Sequence, residues 1–389
     1  MKVDSKIIGL FFVLISFIGG FYFHQYLFED YYERAYSDEN IDFSLLKKTL
    51  DHIYISYINQ DKIDLEKMTY GAISGMVKAL DDPYTEFFDP EGTEDLQETI
   101  TGSFEGIGLQ IAIKDNKLTA ISPIKGTPAE KAELKPKDII LAINGESTIN
   151  LSIDEAVKKI RGEKGTNVIL TIERDGHSFD IEITRAIINV PTVEWELIET
   201  ETGKKIAHLG LYHFSNSTYQ DFKKISSEIL NSKAEGIILD LRSNPGGLVN
   251  QAIDVAGWFL NKEQTVMIEK NKDNIESEIK SSGPSNFSHY PLVILIDEGT
   301  ASAAEILAGA IKDNKNTLII GQKSFGKGTV QKVISLSNKL SLKLTIAEWL
   351  TPNRNKIDGE GILPNIEIEF DNDNDSQLEK ALEEINKII

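Results

Sequence analysis

The chain has 389 residues, 41% of them hydrophobic and 26% charged, a balance that supports buried cores in two or three domains. Its formal net charge of -20 argues against a nucleic-acid partner, because phosphate binding needs clustered Lys and Arg. Cysteine is absent, which removes disulfides, thiolate metal sites and a cysteine nucleophile.

The N-terminus carries an uncharged apolar run from Ile7 to Phe23, seventeen residues and near the lower limit for a membrane-spanning helix. Tyr22, Tyr26 and Phe28 extend it into an interfacial belt. Lys2 and Lys6 precede the run and Glu29, Asp30 and Glu33 follow it, a bias that puts residue 1 in the cytoplasm and the remainder on the extracytoplasmic, periplasmic or outer, side. No small-x-small cleavage site follows, so residues 1–28 read as an uncleaved signal anchor rather than a removed signal peptide. A buried core helix is the plainer alternative, but the run has no polar face.

Residues 29–100 read as a helical region. Phe43, Leu46, Leu50, Ile53 and Tyr57, then Met68, Ala72, Ile73, Met76, Val77 and Leu80, recur at helical spacing and predict two amphipathic helices. "DDPYTEFFDPEG", Asp81 to Gly92, breaks the pattern with prolines and reads as a boundary loop. Residues 101–186 switch to strand alternation, with a hairpin signal at Asp175-Gly176 and short helices at Pro128–Ala132 and Ile153–Arg161. Over residues 187–370, strands such as "GIILDLR" and "PLVILI" alternate with helices such as "TYQDFKKISSEILNS", which predicts an α/β domain whose strand-end loops carry the site. Residues 371–389 end in an amphipathic helix, "SQLEKALEEINKII".

Ser302 stands in "DEGTASAAEILAGA", between the buried run "PLVILI" and a helical pattern, and reads locally as either a helix cap or a nucleophile. A nucleophilic serine needs a base and an oxyanion site. Of the histidines His24, His52, His177, His208, His213 and His289, only His208 and His213 lie on a strand of the α/β domain, and no Gly-x-Ser-x-Gly elbow accompanies them. A lysine with a depressed pKa can serve instead. Lys327, in "SFGKGTVQ" between Gly326 and Gly328, is placed for close backbone approach; a solvated Lys in a glycine turn is the alternative. In "DLRSNPGGL", the unshielded amides of Gly246 and Gly247 can face an oxyanion together with the amide of Ala303, or the turn is simply tight. Asp240 and Arg242 read as a structural pair.

In this order "DLRSNPGG", "EGTASAAEI", "FGKGTVQ" and "LTIAEWLTPNRNKIDGEGILPNI" resemble the C-terminal processing peptidases, or tail-specific proteases, over about Asp81 to Asn365. The resemblance implies an α/β peptidase core of the crotonase-like or Clp-protease-like kind with an inserted PDZ domain. It also implies Ser302 as nucleophile, Lys327 as general base, Gln331 as the glutamine that positions the lysine, and Gly246 or Gly247 with Ala303 as oxyanion donors. No metal or cofactor is implied, and without a Gly-x-x-x-x-Gly-Lys-Ser/Thr loop ATP dependence has no support. "SFEGIGLQI" is similar to a PDZ carboxylate-binding loop, which assigns Phe104, Glu105, Gly106, Ile107 and Gly108 to capture of an apolar C-terminal tail. Glu133 and Lys137 depart from the PDZ pattern where glycines with φ > 0 are usual, which suggests an adjusted turn. Arg161 matches an arginine at the PDZ–protease junction, either a reporter of tail binding or an exposed helix-end residue.

The function so implied is a membrane-anchored endopeptidase acting on protein or peptide tails. A PDZ adaptor with an inactive peptidase domain and a crotonase-like thioester enzyme are the rivals. The N-terminal helices and Ser376 to Ile389 resemble regions that join subunits in some family members, which leaves a homodimer open; no regulatory partner is named by the sequence.

Overall fold

The computed structural model describes residues 43–114, 116–337, 339–369, 371 and 374–389, apart from the side chain of Asp154. The apolar run of residues 7–23 lies outside the described residues; among those described, no helix is long and apolar enough to cross a membrane. The chain divides into two units, residues 1–71 and 72–389. In the first, a helix over Phe43–Ser56 is followed by a 3₁₀ turn, Gln60–Lys62, and a helix that begins at Leu65.

The second unit opens with a departure from the expected boundary loop. Strand β1 (Glu86–Phe88) and a helix over Pro90–Thr101 lie within and beyond "DDPYTEFFDPEG". The strand is too short to show a period. The helix starts on a favourable cap, with Asp89 accepting from the Gly92 amide at 2.9 Å and Pro90 in the first turn, where its missing N–H costs nothing.

The PDZ-like module follows. Strands β2 (Ser103–Gly106), β3 (Leu109–Lys114), β4 (Lys117–Pro123), β5 (Ile139–Ile143), β6 (Glu146–Ser147), β7 (Asn167–Arg174), β8 (His177–Thr184) and β9 (Ala186–Asn189) are joined by helices Pro128–Lys131 and Ile153–Ile160. The main sheet has order β3-β4-β5-β7-β8, with β6 on β5, and it wraps a core that includes Ile107, Leu118, Ile140, Leu170, Ile172 and Ile183. Alternate residues of β7, Val168, Leu170 and Ile172, are fully buried, as half-buried strand pairing requires. Glu133 and Lys137 take φ of 57° and 75°, so the backbone keeps the conformation that glycine favours and the expected adjustment of the turn is absent. Two bonds hold it there: Arg174 donates to the Glu133 carbonyl at 2.9 Å and the Lys137 amide donates to Ala120 at 2.8 Å. β2 and β9, the two chain crossings between the module and the α/β domain, pair as an antiparallel ribbon.

The α/β domain is built on a six-stranded sheet of order β10-β11-β12-β15-β16-β19. It comprises β10 (Val193–Glu199), β11 (Lys205–Leu211), β12 (Gly236–Asp240), β15 (Leu292–Ile296), β16 (Leu318–Gly321) and β19 (Ile366–Glu367), parallel from β11 onward. β15 is buried along its whole length, which explains why "LVILI" carries no polar alternation. One face packs against helices Thr218–Asn231, Val249–Phe259 and Ala303–Lys315, with Phe222, Trp258, Phe259 and Phe287 in edge-on and tilted ring contacts. The other face is covered by the C-terminal helix, Ser376–Ile388, through Ala381 and Ile385. Asp375 caps that helix and also binds Arg242, which pairs in turn with Asp240 at the end of β12, in keeping with their reading as a structural pair. A second sheet, β1-β18-β13-β14 with β17 on β18, is formed by β1, β13 (Thr265–Asn271), β14 (Glu276–Lys280), β17 (Thr329–Ser337) and β18 (Leu340–Leu350).

Helix Val249–Phe259 meets the loop after β14 at Gly257 and Gly283, where a Cβ on Gly283 would fall 2.5 Å from Gly257 backbone atoms. Gly283→Ala therefore forces backbone apart and should cost about 2 kcal/mol, read as a lower urea midpoint at unchanged slope. An unchanged midpoint would contradict the close approach.

Candidate active site

The turn after β15 is fastened to the turn after β12. Asp297 accepts from the Ser243 amide at 2.7 Å, Thr300 Oγ1 donates to the Leu241 carbonyl at 2.8 Å, and the Ala301 amide donates to Asn244 at 2.9 Å. Ser302 follows with φ 53° and ψ −115°, a conformation sparsely allowed for a residue with a side chain, and is 9% exposed. Such strain persists only where surrounding bonds fix it. Here they converge on Glu305.

Glu305 is fully buried in the first turn of helix Ala303–Lys315. Its Oε2 accepts from the amides of Ser302 (2.8 Å) and Lys327 (2.9 Å); its Oε1 accepts from the Gly326 amide (2.7 Å) and Ser324 Oγ (2.6 Å). One carboxylate therefore ties the serine turn to the lysine turn. The reading from sequence passed over Glu305, although Ser302-x-x-Glu305 is the spacing of a capping box.

Lys327 is anchored at both ends of its peptide unit, its carbonyl accepting from Trp349 Nε1 at 3.0 Å. Its Nζ stands 4.5 Å from the centre of the Tyr84 ring. Among the described residues no hydrogen bond joins this Nζ to Ser302 or to Gln331. Burial pushes the ammonium below the ordinary lysine pKa; the charge of Lys343 pushes it the same way, against Asp82 and Glu305. Gln331 Nε2 donates to Thr329 Oγ1 at 2.9 Å and Thr345 Oγ1 at 3.3 Å.

Ser302, Lys327, Gln331, Gly246 and Gly247 all line one cavity of about 1000 Å³. Gly246 (φ 93°) lies where a Cβ would be 2.6 Å from the Ala301 carbonyl and 2.9 Å from Ser302 Cβ, so only glycine lets the serine turn approach. Its amide donates to Asn244 Oδ1 at 2.9 Å. The Gly247 amide makes no hydrogen bond among the described residues, and a Cβ there would strike the Phe214 carbonyl at 2.1 Å. Ala303, the first residue of its helix, is fully buried beside Gly246.

His213 lines the cavity, and burial lowers its pKa toward the neutral form. His208 is absent from the cavity wall. It bridges Glu196 (3.2 Å) and Asp240 (3.1 Å), and although burial opposes its charge, these carboxylates raise its pKa.

The five residues assigned to the PDZ loop divide. The Phe104 ring lies 4.6 Å from the Arg161 guanidinium and lines the cavity of Ser302 and Lys327, while Glu105 accepts from the Lys164 amide at 3.0 Å. Gly106 ends β2. Ile107, in the module core, and Gly108 lead into the edge strand β3, and neither of their amides donates a hydrogen bond among the described residues. Arg161 forms an ion pair with Glu98 of helix Pro90–Thr101, and both line the cavity. The bland helix-end reading of Arg161 is thus incomplete. Its partner Glu98 lies in the region read as helical, beyond the two helices named from periodicity.

Glu305→Gln keeps the shape but turns an NH₂ group toward donors. It should destabilise the fold by about 2 kcal/mol, measured by urea unfolding, and lower any turnover at Ser302 at least about 100-fold. Wild-type turnover in this variant would contradict the shared clamp.

The family model for peptidase family S41 matches residues 205–368, a PDZ domain model matches residues 120–174, and a model of the activating protease CtpB N-terminal domain matches residues 25–92. The carboxy-terminal processing protease CtpA of Bacillus subtilis is 38% identical over 339 residues, 87% of this chain and 71% of that protein. CtpB of the same organism is 37% identical over 342 residues, 86% and 69% of the two chains. A solved photosystem II D1 C-terminal processing protease superposes with a TM-score of 0.51 at 27% identity, covering 86% of this chain and 91% of its own. A peptidase core, a PDZ module and likeness across most of both chains point the same way, and the chain belongs to peptidase family S41, the carboxy-terminal processing serine proteases.

Proposed function

We propose that this protein is a membrane-anchored endopeptidase that captures exposed C-terminal tails on its PDZ module and cleaves them with a Ser302–Lys327 dyad. The observation that carries the reading is the opening of Ser302 and Lys327 into one cavity, with Glu305 bonded to the backbone of both.

Neutral Lys327 takes the proton from Ser302 Oγ as the oxygen attacks the scissile carbonyl. This step requires Nζ to move from the Tyr84 ring to the serine. The amides of Gly247 and Ala303 receive the oxyanion, and Gln331 positions the lysine. As the C–N bond breaks, Lys327 returns the proton to the leaving amine. Water then attacks the acyl-enzyme, giving its proton to Lys327, and Ser302 recovers a proton as the new carboxyl end leaves. No metal or cofactor enters the scheme. The tail adds as a strand to the free edge of β3, its carboxylate on the amides of Ile107 and Gly108, and Arg161 with Glu98 stands where the module meets the cavity. Residues 7–23 anchor the chain, which puts the peptidase outside the cytoplasm.

Ser302→Ala and Lys327→Ala should each abolish cleavage of a peptide with an apolar tail while circular dichroism stays native; turnover in either variant refutes the dyad and, for Ser302→Ala, the adaptor reading is refuted if the wild type cleaves. Because the base must be neutral, kcat/KM should fall as pH drops through the lowered lysine pKa, and a flat profile far into acid would count against Lys327. Release of the full chain from membranes by carbonate washing would remove the anchor.

A further inference from the structure

The hairpin that carries Gln331 also presents a second lysine to the cavity. Across β17 and β18, Gln331 faces Thr345 and Val333 faces Lys343. Residues two apart on a strand share a face, so Lys343 stands beside Thr345 on the side that receives the Gln331 side chain. Lys343 lines the same cavity as Ser302, Lys327 and Gln331. β1 fixes its position: Glu86 is its cross-strand partner, with Nζ 3.2 Å from the carboxylate and 5.0 Å from the centre of the Phe88 ring.

We propose that Lys343 is a positioning residue for the reaction: its ammonium, held in the shared cavity, keeps Lys327 in the neutral form that can accept the serine proton. The proposal rests on the reading of Lys327 as base. Two ammonium groups lining one cavity repel, and the one with less compensation more readily gives up its proton.

The compensation is unequal. Lys343 has Glu86 within ion-pair distance and the Phe88 ring beside it. Lys327 has the Tyr84 ring, and the carboxylates facing it are engaged elsewhere. Glu305 accepts its four bonds from the two turns, and Asp82 accepts from Thr85 Oγ1 at 2.6 Å and the Tyr84 amide at 2.9 Å. Asp358 faces Tyr84 and accepts from the Gly328 amide at 3.3 Å. Burial and the charge of Lys343 then act together on Lys327, against Asp82 and Glu305. Glu86 is 55% exposed against 28% for Lys343, so solvent screens the counter-charge more than the ammonium it holds.

The test is the pH profile of kcat/KM on a tailed peptide for the full chain. Lys343→Gln should move the acid limb up by about one pH unit, about a tenfold loss below the limb, with the high-pH plateau unchanged. Lys343→Arg keeps the charge and should keep the wild-type limb. Glu86→Gln releases the ammonium from its partner and should move the limb down, the opposite sign, and it serves if Lys343→Gln fails to fold. An unmoved limb, or equal loss at every pH, overturns the role of Lys343. Lys327→Ala in the same assay separates the two levels: inactivity there with an unmoved limb in the other variants refutes only Lys343, whereas activity there refutes the base and this proposal with it.

Discussion

The site depends on one buried carboxylate. Glu305 receives the amides of Ser302, Gly326 and Lys327 and the hydroxyl of Ser324, so two turns distant in the chain share a single anchor. Hydrogen bonds to a charged acceptor in a low-dielectric setting are among the stronger ones available, and each donor here is a backbone or short side-chain group with little freedom to lose. That anchor holds Ser302 at positive φ and brings the backbone of Lys327 alongside. Gly246 and the Asn244–Ala301 bond complete the clamp from the third turn.

The lysine side chain is treated differently from its backbone. While the Lys327 peptide is bonded at both its N–H and its C=O, its Nζ meets a ring face and no hydrogen-bonding partner among the described residues. A lysine with few bonds and a depressed pKa is easier to move and easier to deprotonate, as the proposed role of base requires. The same cavity wall is shared by Phe104, Arg161 and Glu98, so the ribbon β2–β9 and helix Pro90–Thr101 bring the PDZ junction to the edge of the peptidase site. Tail capture and cleavage, as proposed, would therefore be neighbouring events.

Most of the architecture was legible because it is written in periodicity. "GIIL" and "LVILI" read as strands of an α/β domain, the Asp175-Gly176 signal marks the β7–β8 turn, and the closing helix shows its apolar stripe. What escaped was short or weakly patterned. β1 has three residues inside the stretch read as a boundary loop, and helix Pro90–Thr101, though within the region read as helical, starts in that same stretch and buries none of its residues fully; the helix supplies Glu98 to the cavity wall, and β1 holds Lys343 through Glu86 and Phe88. At the site, Ser302, Lys327 and Gln331 were suggested by motif. Which of the two glycine amides is already bonded could not be read from sequence, because it depends on the Asn244 side chain reaching that of Gly246. Tyr84 was hidden for a similar reason: its ring reaches Lys327 only through the pairing of β1 with β18.

The central claim is that Ser302 is the reacting oxygen and that Lys327 activates it. A fluorophosphonate reporter that forms a covalent serine adduct, followed by peptide mass mapping, addresses both. A single adduct on the peptide carrying Ser302, formed faster as pH rises and lost in Lys327→Ala, is the predicted result. An adduct on another residue, or no adduct on protein that still cleaves a tailed peptide, would contradict it.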